Sequence, residues 1–314
     1  MRWPPATRSL ALSDPSLPWR GPGEDRPDLP LPPEQLPLRR GGLWRKRWRY
    51  AAAFSDELFV CAARVNVGPL GQTFWAIWDR GERTMWERTR FLFPGARGDV
   101  WTEGGDGAGQ ILHAPDEGSV VRIEAKDPEV GEVRAFLRFG GGGRWVEAVC
   151  PTEDGEYIWT RKRVDVPVEA DVRFGSRRLN SKARGVEDES EGYHPRHTVW
   201  SWSAGVGTTA DGRSVGWNLV SGINDPPERS ERGIWIDGEP REPGPVEFEG
   251  LEAIAFDDGA RLDFTGECER RKEESRLFVR YSYRQPMGTF SGTLPGGIVL
   301  ASGLGVMEHH DAEW

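Results

Sequence analysis

Four of the five histidines stand in two short runs, GYHPRHTVWSWSAG (Gly192 to Gly205) and GVMEHHDAEW (Gly305 to Trp314), both crowded by Trp and carboxylates. Histidine has the unperturbed pKa nearest neutrality. Two such clusters, brought together by folding, could transfer protons or hold a metal. In a strand, the alternation of side chains puts Val306, Glu308 and His310 on one face and Met307 and His309 on the other. A carboxylate two residues from an imidazole can orient the ring and raise its pKa, as an acid catalyst needs. A solvated strand end is the alternative. In the first run, Pro195 breaks any helix that would align His194 with His197, so a turn must present them. Zinc would ask for three protein ligands and an open position, which His194, His197 and His310 could supply, but their spacing matches no zinc signature. His197 as an oriented acid or base, or as a buried hydrogen-bonding group, is preferred, and no metal is expected.

Trp200 and Trp202 share one strand face, with His197, Val199 and Ser201 on the other. Aromatic walls can bind an apolar ligand, stack on sugars or stabilise a developing cation, and they can equally be core. The loop INDPPERSERGIW adds Asp225 and Glu231 beside this Trp-rich strand, where a barrel mouth would carry function. No GxSxG elbow, Cys/His pair or dinucleotide fingerprint occurs, so nucleophilic hydrolases and Rossmann oxidoreductases are disfavoured and no cofactor is expected.

The elements that must position these residues are strands. Fifteen Trp and 13 Phe against four Met favour pleated surfaces, and 40 Gly with 24 Pro supply many turns. The clearest strand is VDVPVEADVRF, with Val164, Val166, Val168, Ala170, Val172 and Phe174 on one face. Pro167 there predicts an edge strand or a bulge. Hairpin turns are predicted at Asp79–Glu82, Ile236–Glu239 and Asp257–Gly259, and a turn at Gly140–Gly143. GGIVLASGLGVM (Gly296 to Met307) reads as two strands around a turn, and GECERRKEESR (Gly266 to Arg276) as either a helix or a long hairpin end. In WRKRWRY, Arg45, Arg47 and Arg49 alternate with Trp44, Lys46, Trp48 and Tyr50, the pattern of an amphipathic opening strand.

Residues 1–40 hold ten of the 24 prolines and no periodic apolar pattern. They predict an extended arm, strapped on by Trp3, Trp19 and Leu31 and dispensable for the fold. The charged stretch Ser176–Gly192 reads as the link between two β halves, giving an arm over 1–43, an N-terminal lobe over 44–178 and a C-terminal lobe over 179–314. A net charge of −9 argues against nucleic acid as the main partner. Three widely spaced cysteines, Cys61, Cys150 and Cys268, form no disulfide framework and fit a reducing cytoplasm. No apolar run is long enough for a transmembrane helix, while peripheral contact with a membrane stays open, as does the oligomeric state.

The runs YIWTRK (Tyr157 to Lys162), ARGVEDESEGYHPRHTVWSWSAGVG (Ala183 to Gly207), VGWNLVSGINDPPERSERGIWIDG (Val215 to Gly238), YRQPMGTFSGTLPGG (Tyr283 to Gly297) and GVMEHHDAEW together resemble the bacterial family known as domain of unknown function 2804, over roughly Trp44 to Trp314. A more distant likeness is to the two-lobed, lipocalin-like group that includes carotenoid hydratases of the hydroxyneurosporene synthase type and tocopherol cyclase. Those carry a GYxDHxWG-like segment. Gly192, Tyr193, His197 and Trp200 follow a similar order, with Arg196 in the place of the Asp and two residues between His197 and Trp200.

The resemblance implies an all-β fold of two calycin-like barrels or half-barrels packed together, with an aromatic-lined ligand cavity. It also implies acid–base chemistry (hydration, cyclisation or isomerisation) on an isoprenoid or lipid-like molecule. On this reading Tyr193, His197, Glu308 and His310 are candidate catalytic residues. Trp159, His194, Trp200, Trp202, Asp225, Glu231 and Tyr283 are candidate ligand-binding residues. The sharpest expectation is that His197 and the Glu308/His310 pair meet at the cavity. A non-catalytic carrier or sensor needs the same cavity without a titratable cluster, and carbohydrate binding on exposed Trp is a third reading.

Overall fold

The computed structural model describes residues 14–21, 26–92, 98–103, 118–276 and 279–313. Every regular element among them is a β-strand. In chain order these are β1 (Trp19–Arg20), β2 (Arg39–Arg40), β3 (Leu43–Trp44), β4 (Lys46–Phe54), β5 (Leu58–Val67), β6 (Leu70–Asp79), β7 (Thr84–Leu92), β8 (Val100–Glu103), β9 (Ser119–Asp127), β10 (Gly131–Phe139), β11 (Val146–Pro151), β12 (Tyr157–Phe174) and β13 (Arg177–Gly192). The second half comprises β14 (His197–Thr209), β15 (Ser214–Ser221), β16 (Gly233–Ile236), β17 (Glu239–Arg241), β18 (Val246–Glu249), β19 (Ala253–Phe256), β20 (Arg261–Arg276), β21 (Val279–Leu294) and β22 (Ile298–Glu313).

Two large antiparallel sheets result, and β2 and β3 form a separate two-stranded one. The first runs β7-β6-β5-β4-β13-β12-β10-β9-β8, with β11 and β1 continuing from β12. The second runs β17-β16-β15-β14-β22-β21-β20-β19-β18. Each curls on itself, bringing β8 back toward β5 and β6, and β18 back toward β15. The curl encloses one apolar core per lobe, one around Trp75, Ile123, Leu137 and Val172, the other around Trp217, Ile254, Leu262 and Met307. A third core lies between the lobes, where Tyr50, Ala52, Phe54, Phe59 and Val186 meet Trp202, Ala204, Val206, Met287 and Val306. Close approach there relies on Gly216, where a Cβ would lie 2.7 Å from Val164 Cγ2.

The all-β, two-lobed architecture agrees with expectation, as do the turns after Asp79, Ile236 and Phe256. The alternation of β12 also holds, with one break. Asp165 has a φ of 63° and the register shifts between Val164 and Val166. This bulge sends Val164 into the core between the lobes while Val166 to Phe174 fill the first lobe. Pro167 therefore sits in a central strand. It falls where the neighbour of β12 changes from β11, paired through Lys162, to β10, paired from Val168; Gly140 N still donates to Pro167 O at 2.8 Å, and the missing N–H ends the ladder there.

Two expectations are corrected and one pair of alternatives is resolved. Ser176–Gly192 is not a link, because it contains β13, paired to both β12 and β4 in the first sheet. The chain crosses between sheets at residues 193–196, well past position 178. Charge suggested solvent, but Glu187, Glu189 and Glu191 are buried against Arg49, Arg163 and Arg45. Of the two readings of Gly266–Arg276, the long hairpin end holds and the helix does not: the segment is part of β20, paired with β21 out to Arg276 and Val279. Ile298–Met307 belongs to the single strand β22, its turn falling before Ile298.

The arm is more than a strap. Trp19, Leu31 and Leu36 are buried with Val149, Tyr157, Trp159 and Tyr193, while Trp3 lies outside the described residues. Each such apolar side chain contributes about 1.5–3 kcal/mol. Deleting residues 1–40 should cost on the order of 5 kcal/mol and lower the melting temperature, yet leave a cooperative transition, because neither lobe's own core includes the arm. Differential scanning calorimetry checks this, and an unchanged melting temperature would contradict it.

Candidate functional site

Between the two lobes the apolar contact opens into a cavity. Its volume is about 110 Å³. Its walls follow from strand register. On the first sheet one lateral row runs Lys162, Asp188, Tyr50, Ala63, Phe74, Thr89, one residue from each of six neighbouring strands. A second row there contributes Trp48, Val65 and Gln72. On the second sheet, Val220, Trp202 and Glu308 form one row, continued by Gln285 and Arg270, while Trp200, His310, Tyr283 and Lys272 form the next. The half-buried Val65, Gln72, Thr89 and Lys272 mark the more exposed end.

Glu308 is the central polar group. Trp200 Nε1 donates to its Oε1 at 2.9 Å and Gln285 Nε2 donates to its Oε2 at 2.8 Å. Burial dominates these donors and the hydrogen bond with Tyr283, and raises its pKa to about 7. His310 lies 4.1 Å from the Trp200 ring and 5.2 Å from that of Tyr283. Burial, reinforced by His309, pushes its pKa down to about 3. The imidazole should therefore stay neutral, and its NMR ring shifts should not titrate between pH 5 and 8. A midpoint inside that range would reverse this assignment.

Arg270 is buried at one end of the cavity, its guanidinium 4.1 Å from the Phe74 ring centre and its Nε 3.0 Å from Glu87 Oε2. At the other end Lys162 Nζ lies 2.6 Å from Asp188 Oδ1 and 3.4 Å from Glu231 Oε1. Carboxylates thus surround Lys162, and their attraction overcomes burial to hold its pKa above the ordinary value.

Of the residues singled out from sequence, Glu308, His310, Trp200, Trp202, Tyr283 and Glu231 line this cavity. His197 does not meet them. Strand parity turns it to the outer face of β14, where its exposed ring bonds Asp311 Oδ1 at 2.8 Å. Tyr193 and Trp159 pack in the arm's core, with Tyr193 OH donating to Pro37 O at 2.8 Å and Trp159 Nε1 donating to Glu147. His194 is buried with its ring centre 4.6 Å from that of Trp48, outside the cavity wall. Asp225 lies in a second hollow, on the far side of Ile223 and Asn224, which His197 shares. His194, His197 and His310 therefore do not converge, and among the described residues no group of three His, Cys, Asp or Glu is placed to hold a metal ion.

Sequence reading missed Trp48, Tyr50, Phe74, Lys162, Asp188, Asn224, Arg270 and Gln285. The alternation in WRKRWRY already put Trp48 and Tyr50 on one face, and that signal could have found them.

A family model described as Domain of unknown function (DUF2804) matches residues 31–314. The chain belongs to this family. Comparison with curated proteins finds no match. Among solved structures, kievitone hydratase from Nectria haematococca is similar with a TM-score of 0.53 and 11% identity, over 84% of this chain and 88% of that one. A Nitrosomonas europaea protein described as AttH gives 0.47 and 12%, over 89% and 97%, and CghA gives 0.41 and 9%, over 86% and 88%. At such identities the hydratase likeness concerns the fold, the two-lobed lipocalin-like arrangement. Among the described residues no helix is long and apolar enough to cross a membrane.

Proposed function

We propose that this DUF2804 member binds an apolar, isoprenoid or lipid-like molecule in the cavity between its lobes and performs acid-initiated chemistry on it, with Glu308 as the proton donor. The observation carrying this reading is a buried carboxyl, with its pKa raised to about 7, facing a cavity walled by Trp48, Tyr50, Phe74, Trp202 and Tyr281. An acid poised near neutrality is partly protonated at the working pH and still acidic enough to donate.

Glu308 would give its proton to one carbon of an alkene, whose π electrons form the new C–H bond and leave a cation on the adjacent carbon. The faces of the surrounding rings would stabilise that cation. Water addition completes a hydration, attack by a second double bond of the ligand a cyclisation, and loss of a neighbouring proton an isomerisation. In each case the proton released returns to the Glu308 carboxylate. The neutral His310 would orient the ligand or water.

Native mass spectrometry of the purified protein should reveal a co-purifying apolar molecule. Incubating that molecule with the protein in deuterium oxide should place deuterium on carbon with the native chain and not with Glu308→Gln. A bound ligand that neither changes nor exchanges would favour a carrier, and turnover indifferent to Glu308→Gln would remove this residue from the chemistry.

A further inference from the structure

Resting on the cavity reading above, we propose that the ligand is an alcohol or phenol, and that Asn224, Glu231, Asp188 and Lys162 dock its hydroxyl at the end of the cavity opposite Arg270. The loop after β15 brings Asn224 and Glu231 over the Lys162 end of the first-sheet row, and Glu231 N donates to Asn224 O at 3.1 Å to pin it. Asn224 Nδ2 donates to Glu231 Oε2 at 2.9 Å, while Lys162 on Oε1 keeps that carboxylate an acceptor. The amide orientation is thereby fixed. Asn224 Oδ1 then has no hydrogen-bond partner among the described residues, although Asn224 lines the cavity and is only 7% exposed. A buried acceptor without a donor is unfavourable, and a ligand that supplies the donor recovers that loss.

The charges select the donor's type. Lys162 is shared by Asp188 and Glu231, while Arg270 and Lys272 at the other end are already paired with Glu87 and Glu274, so an anionic ligand would have to compete with these carboxylates for each cation as well as losing its own hydration. A carboxylate would also face Asp188 and Glu231. A neutral hydroxyl can donate to Asn224 Oδ1 and accept from Lys162 Nζ. With neighbouring strands about 5 Å apart, a hydroxyl held there leaves an apolar body lying along Tyr50 and Ala63, and a carbon about 5–10 Å from the oxygen facing Glu308.

The test uses isothermal titration calorimetry with naphthalene, 2-naphthol and sodium 2-naphthoate as probes. The native protein should bind 2-naphthol about tenfold more tightly than naphthalene and more tightly than 2-naphthoate. Asn224→Gly, which tolerates the φ of 49° at this position, should bring 2-naphthol to within about twofold of naphthalene. Glu231→Gln, which keeps the side-chain shape, should also reduce the preference. Equal affinity for naphthalene and 2-naphthol, an unchanged preference in both variants, or tightest binding of 2-naphthoate would overturn the hydroxyl site alone. Binding of none of the three would overturn the apolar-cavity reading with it.

Discussion

Glu308→Gln should abolish acid-initiated turnover and, at the same time, make the protein more stable at alkaline pH. The carboxyl titrates near the ordinary 4.5 in the unfolded chain and at about 7 in the folded one. Between those values the folded state holds more protons, so stability falls as pH rises through this window and levels off above 7. A shift of this size corresponds to about 3 kcal/mol. Glutamine has no charge to desolvate. Its amide can accept from Trp200 Nε1, and Gln285 can turn its own amide oxygen toward the new NH2 group. Native and variant proteins should therefore melt close together at pH 5, while at pH 8 the variant melts several degrees higher. Trp200 offers a second readout, since its indole donates directly to Glu308. A tryptophan fluorescence change with a midpoint near 7 should disappear in the variant. Equal melting temperatures at pH 8 would show that Glu308 is ionised without penalty and unsuited to donate a proton at neutrality.

How far such a site could be read from sequence depends on whether it needs only strand parity or also strand register. Parity is local. It aligned Glu308 with His310, and Trp200 with Trp202, and all four line the cavity. The same parity had already placed His197 on the opposite face from Trp200, and the outward position of its ring follows. Register is not local. The row Lys162, Asp188, Tyr50, Ala63, Phe74, Thr89 draws one residue from each of six strands, and nothing in any one strand says which residue lies beside it. Asp188 fell within the charged stretch read as a link, and Lys162 was not singled out, because the partners that permit their burial are distant in sequence. Tyr193 and Trp159 were misplaced for a related reason, since the arm that covers them has no periodic pattern to announce its docking.

The same logic makes Glu187 a residue whose loss should strongly destabilise the fold. Along β13, Glu187, Glu189 and Glu191 turn to one face, while Val186 and Asp188 reach the core and the cavity between the lobes. A slip of one residue would exchange the two sets and put Glu187 where Asp188 holds Lys162. Glu187 opposes that slip through a fully buried network. Arg49 Nη2 and Ser119 Oγ donate to its Oε1 at 3.0 and 2.9 Å, and Arg163 Nε donates to its Oε2 at 3.0 Å. Arg163 is itself fully buried, held otherwise by the Gly142 carbonyl at 2.7 Å and the face of Trp145 at 4.6 Å. Glu187→Ala removes the carboxylate and strands that guanidinium. Breaking a buried pair from one side costs about 3–5 kcal/mol, whereas replacing the whole set by apolar groups of similar volume can be neutral. Urea unfolding should show a loss in that range for Glu187→Ala and substantial recovery when Arg163→Met is combined with Glu187→Leu, because Arg49 keeps Glu189 as its buried ion pair. If the network holds register as well as stability, this apolar double variant will fold yet bind 2-naphthol less tightly than the native chain. A loss below about 1 kcal/mol for Glu187→Ala would mean that hydrophobic alternation alone holds β13 in place.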